Sequence, residues 1–195
     1  MTIITLLLTI GVMILIASLA PIEKDLGAKV RVVYFHGAWV WAGKVAFGLA
    51  ALAGLAGLLR RKWLDWSLAL GRTGLTFWLT YLPMSLWVMQ LNWGGLFLDE
   101  PRWRVPFAFG VAGLLLHIAL ALFNTPWLTG LGNLVFGAAL WAVLGGLQNI
   151  LHPDSPIFSS DSSRIQIFFI ALLGLALLAG ALITLLWRRL SRHSE

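Results

Sequence analysis

Apolar residues run along this chain in long blocks separated by short polar stretches. The first block covers residues 2–20, enough to span about 30 Å of hydrocarbon as a helix. Others follow at about 36–59, 67–89, 105–123, 127–147 and 165–187. The pattern predicts an all-α fold, a polytopic six-transmembrane-helix bundle occupying residues 1–195 as a single membrane domain. Ser18-Leu19-Ala20 resembles a signal-peptide cleavage site, but no basic segment leads the block and Pro21 follows it. The expectation is a retained first helix, stopped by Pro21.

The polar stretches give the rest of the layout. Residues 21–35 read as a loop carrying Glu23, Lys24, Asp25, Lys29 and Arg31. In the second span Ala46, Ala50 and Gly54 recur at four-residue spacing, a small-residue stripe that lets another helix approach closely. Arg60-Arg61-Lys62 closes that span, and Trp63 and Trp66 follow as interfacial anchors. The third span has Arg72 near its start and Pro83 inside, which predicts a kink. A loop rich in glycine, tryptophan and charge is expected over 92–104, and Asn124-Thr125-Pro126 reads as a tight turn. Gly130, Gly137, Gly145 and Gly146 invite close packing in the fifth span. A polar segment over 148–164 precedes the last span, and residues 188–195 form a short basic tail.

Composition supports lipid as the solvent. Charged residues make up 11% of the chain against about 25% in a soluble domain, and hydrophobic residues make up 59%. With no cysteine there is no disulfide framework, thiolate metal site, covalent CxxCH haem or thiol redox chemistry. The net charge of +6 does not point to nucleic acid, because the basic residues gather at helix ends. Six crossings put both termini on one side, with Arg60, Arg61, Lys62, Arg188, Arg189 and Arg192. Lys24, Lys29, Arg31, Arg102, Arg104 and Arg164 fall on the other. The tally is even, but the tight clusters favour the terminal side as cytoplasmic. Parity also places the loops after the first, third and fifth spans on one face, bringing His36, the Trp93 loop and His152 to the same side of the membrane.

Two neutral imidazoles can ligate a metal through one ring nitrogen each. On opposite sides of a haem they supply both axial ligands. Such a site needs an apolar floor and cations at its rim. Tyr34, Phe35, Trp39, Trp93 and Phe97 can form the floor, and Arg31, Arg102 and Arg104 can meet propionates bidentately. Plainer roles exist for each. A histidine at a helix end is often an interfacial hydrogen-bonding residue, and tryptophans at span ends are usually belt residues. Asp99, Glu100, Arg102 and Arg104 also suit a solvated loop with weak local ion pairs. His117 lies inside a span, where a helix-to-helix hydrogen bond is its expected role. Lys44 either faces the bundle interior or snorkels; with Arg72 it could mark an ion or proton path, but no embedded carboxylate accompanies them. His193 receives no role. There is no GxSxG, HExxH or phosphate loop, and adjacent Asp99 and Glu100 diverge on any regular element, so the chain is expected not to be an enzyme.

Arg31-Val32-Val33-Tyr34-Phe35-His36 resembles the first histidine segment of the haem-handling cytochrome c assembly family, in its haem exporter protein C branch. Asn149-Ile150-Leu151-His152 resembles that family's second, Asn-x-Leu-His segment. Between them the family carries a loop of the form WGxxWxWDxR, to which Trp93, Gly94, Asp99 and Arg102 correspond. Two of the family's tryptophans are replaced here by Leu or Phe, Glu100-Pro101 lengthens the motif, and the family's proline after the first histidine is missing. The resemblance covers nearly the whole chain. It implies a six-helix protein of the inner membrane with cytoplasmic termini, His36 and His152 as axial ligands of a non-covalent b-type haem, and the Trp93 loop as its platform. It also implies two partners: a periplasmic haem chaperone and an ABC transporter. The competing expectation is a haem-free structural or assembly subunit of a larger membrane complex. A small-solute transporter using Lys44, Arg72 and His117 comes third.

Overall fold

The computed structural model describes residues 1–24, 26–147, 157 and 160–192, and these form six α-helices and no sheet. They are α1 (Thr2–Leu19), α2 (Val30–Leu59), α3 (Leu64–Trp93), α4 (Pro101–Phe123), α5 (Pro126–Gly145) and α6 (Ser163–Arg192), with a 3-10 turn at Arg61–Trp63.

Four of the helices, α2, α3, α4 and α6, outrun the apolar blocks, most at the start of α2. Residues 30–35 were expected in a polar loop and are helical. Val30, Tyr34 and Ala38 recur every fourth residue and are all buried, so one face packs before the charged stretch has ended. Arg31 lies off that stripe and its Nε donates to the Ala20 carbonyl at 3.1 Å, satisfying an acceptor at the end of α1.

The Trp93 loop is shorter than expected, because α3 continues to Trp93 and stops where Gly94 adopts φ 71°. Pro101 then takes the first turn of α4, where its missing N–H costs nothing. Pro83 lies inside α3, and the helix runs on past it. Asn124, at φ 45°, makes the expected turn into α5.

Five of the helices are long and apolar enough to cross a membrane; α3 is not among them. Large apolar side chains such as Leu7, Leu52, Leu115, Val135 and Ile170 lie exposed around the bundle. A surface of that kind is stable against lipid, and the fold is a helical membrane bundle. α3 can be more polar because it packs against α2, α4, α5 and α6. Its polar side chains bond to those neighbours. The Ser67 hydroxyl donates to the Ala50 carbonyl at 2.9 Å, Asn133 Nδ2 donates to the Ser67 carbonyl at 2.9 Å, and the Thr73 and Thr184 hydroxyls meet at 2.9 Å.

The small-residue stripe of α2 faces α3 and α5. Ala46, Ala50 and Gly54 are buried, and Gly54 abuts the Gly130 carbonyl so closely that no Cβ fits. A Cβ on Gly137 would meet the Phe47 carbonyl at 2.7 Å. The expectation for Gly145 and Gly146 is corrected. Among the described residues Gly145 has nothing within 4 Å of a Cβ and Gly146 meets only carbonyls of its own helix, because α2 and α5 meet closely at Gly130 and Gly137.

Candidate functional site

His36 occupies the second turn of α2, half-buried, with its ring centroid 5.1 Å from that of Tyr81 on α3 and the planes at 42°. Tyr81 is buried, and its hydroxyl donates to the Arg102 carbonyl on α4 at 3.4 Å. Tyr81 therefore links the imidazole on α2 to the start of α4. Deeper in the bundle the Trp39 indole N–H donates to the Thr80 hydroxyl at 2.8 Å, and its ring lies 4.5 Å from Phe77. Phe35 stacks on Trp39 at 5.6 Å. Trp78 lies 5.3 Å from Tyr81 and donates to the Pro106 carbonyl at 2.9 Å. Aromatic rings thus fill the space below His36.

The α3–α4 connection adds a second aromatic pair, Trp93 and Phe97, with centroids 6.0 Å apart and planes at 72°. Trp93 is half-buried, whereas Gly94 and Asp99 are exposed. Glu100 is only 3% exposed and occupies the N-cap of α4, where the positive end of the helix dipole favours a carboxylate. Arg102 is half-buried and Arg104 exposed.

His36, Tyr34, Trp39, Arg31 and Arg102 therefore share one end of the bundle with Trp93, Gly94 and Asp99. Their orientations differ. Tyr34 is 1% exposed with its hydroxyl unbonded among the described residues, and Trp39 is 8% exposed, so both belong to the packed interior. His152 and the Asn149–Leu151 segment lie outside the described residues. Among those described, no group of three or more His, Cys, Asp or Glu is arranged to hold a metal ion. Tyr81 was not anticipated; its signal is its place beside Phe77 and Trp78 on the buried face of α3.

Each embedded polar residue has its own contacts. The Lys44 ammonium lies 4.4 Å from the Trp41 ring and 4.7 Å from that of Trp141. Arg72 donates to the Ser191 hydroxyl at 3.0 Å, and its guanidinium lies over Trp187 at 5.4 Å. His117 is wedged beside Gly71 and Asn133, and its Nε2 has no hydrogen-bond partner among the described residues.

The chain matches no family model, no curated protein and no solved structure.

Proposed function

We propose that this chain is a membrane haem-binding protein of the cytochrome c maturation type, which holds haem at the outer end of the bundle and passes it on. The observation that carries the reading is the seat of His36. A half-buried imidazole rests on Tyr81 above an aromatic interior, with Arg102 and the Trp93–Phe97 pair at the same end. These residues fit one face of a haem site. Bound haem supplies an iron that takes two axial imidazoles. In this reading His36 and His152 are the axial ligands, and Trp93 and Phe97 offer ring faces. Arg31, Arg102 and Arg104 meet the propionates. Gly94 and Asp99 shape the connection, and Tyr34 and Trp39 support His36 from beneath.

The same reading makes α3 a sixth crossing of the inner membrane, leaves both termini in the cytoplasm and assigns no bond-breaking step to the chain. Its partners are a periplasmic haem chaperone and an ABC transporter. The test is a reduced-minus-oxidised absorption spectrum of protein from haem-replete cells. Sharp α and β bands are expected, and a His36→Ala, His152→Ala double variant should lose them. Wild-type protein without such bands sinks the reading.

A second reading, a haem-free assembly subunit, draws on the burial of Tyr34 and Trp39, which places both rings in the packed interior. It predicts co-purification with membrane partners that survives loss of both histidines.

A further inference from the structure

A groove of ≈ 470 Å³ opens to the lipid between α2 and α5. Its lining includes Gly48, Leu49, Leu52, Leu134 and Ala138 and is almost wholly apolar. Trp141 is part of its lining. The Trp141 indole N–H donates to the Lys44 carbonyl at 3.0 Å, which fixes the ring against α2. The Trp141 and Trp41 rings stand 6.1 Å apart at 63°, with the Lys44 ammonium over both. Lys44 follows His36 by eight positions on α2, about 12 Å deeper at ~1.5 Å per residue. Helical side chains lean toward the helix N-terminus, so this ammonium leans toward the outer end of the bundle. The groove lies on its inward side.

A cation at the outer end of an apolar trough is the complement of an amphiphile with an anionic head and a hydrocarbon tail. The two indoles hold the ammonium by cation–π attraction, and no carboxylate among the described residues is paired with it. Neither α2 nor α5 contains a carboxylate. In a two-fold contact centred on this groove, a second copy of the chain would bring another Lys44 to the same place. From this charge complementarity we infer that the α2–α5 groove is a binding site for an anionic phospholipid of the outer leaflet, its phosphate on Lys44 between Trp41 and Trp141 and one acyl chain along Leu52 and Leu134. The choice of leaflet rests on the orientation proposed above; the lipid contact itself does not rest on haem.

The test is native mass spectrometry of the detergent-purified protein titrated with dioleoylphosphatidylglycerol or dioleoylphosphatidylcholine. The first phosphatidylglycerol should bind about tenfold tighter than the first phosphatidylcholine, the size of one charge-assisted contact. Lys44→Gln should bring the two lipids within about twofold of each other, and Lys44→Arg should keep the preference. Ala138→Trp, which fills the groove and spares the charge, should weaken both lipids. Equal affinities in the wild type, or an unchanged preference in Lys44→Gln, would overturn the proposal. So would a dimer that depends on Lys44 and shows no lipid preference. Should Lys44→Gln fail to fold, the comparison of the two lipids on the wild type and Ala138→Trp still decides.

Discussion

The His36 imidazole lies against the Tyr81 ring, centroids 5.1 Å apart, and Tyr81 in turn donates its hydroxyl to the Arg102 carbonyl. One tyrosine therefore ties the candidate ligand on α2 to the basic start of α4. Tyr81→Phe keeps the ring and loses one long hydrogen bond, so it should cost less than about 1 kcal/mol. Tyr81→Ala removes a buried ring and should cost about 3–5 kcal/mol. Unfolding in mixed micelles measures both. If haem is bound at His36, Tyr81→Ala should also broaden the α band, and Tyr81→Phe should not.

Trp39 and Thr80 form a direct side-chain bond between α2 and α3 at 2.8 Å. Trp39→Phe and Thr80→Val should each cost about 1 kcal/mol. Because they remove the same bond, the double variant should cost less than the sum, with a coupling of about 0.5–1 kcal/mol. Strict additivity in the cycle would show that the bond contributes nothing.

Gly54 and Gly130 set the approach of α2 to α5. Gly54→Val should destabilise by about 1–3 kcal/mol through forced separation of the helices. Gly145→Ala, where no described residue lies within 4 Å, should be neutral or slightly stabilising. Thermal unfolding of the pair separates a packing glycine from an incidental one.

Asn133 is 2% exposed; its Nδ2 donates to the Ser67 carbonyl and hydroxyl while its Oδ1 has no partner among the described residues. Asn133→Leu removes two bonds and one unsatisfied acceptor together, so the net loss should be only about 1 kcal/mol. Asn133→Asp turns a donor toward the Ser67 carbonyl into an acceptor and buries an acid, which should cost several kcal/mol. Equal stability of the two variants would contradict the hydrogen-bond assignment.

Helix number and approximate limits were legible in the sequence because hydrocarbon thickness dictates the length of apolar blocks. The true limits were less legible because helices continue beyond the hydrocarbon. Arg31 reads as loop by its charge, yet it sits one residue after buried Val30 on a face that already packs. Asp65, Arg72 and Asn92 keep α3 from reading as an apolar span, although its Ser67, Arg72 and Thr73 find partners on neighbouring helices. At the candidate site the gathering of His36, Arg102 and Trp93 at one end followed from the parity of the helices. The Tyr81 contact did not, because the facing of two helices depends on packing across the bundle, and spacing along one helix does not record it. Trp39 shows the same limit, since its place inside the bundle rather than on the rim is set by Thr80 and Phe77.

The polarity of α3 also bears on how the chain is made. In the six-crossing arrangement proposed above, a segment carrying Asp65, Arg72 and Asn92 partitions poorly from the translocon into bilayer on its own. The short connection at Arg61–Trp63 lets it enter as a hairpin behind α2, whose Ala50 carbonyl already awaits Ser67. Biogenesis then has a built-in sequence: α2 is the template for α3. A lesion at that seam would appear as misinserted, proteolysed chain before any finished protein could be assayed.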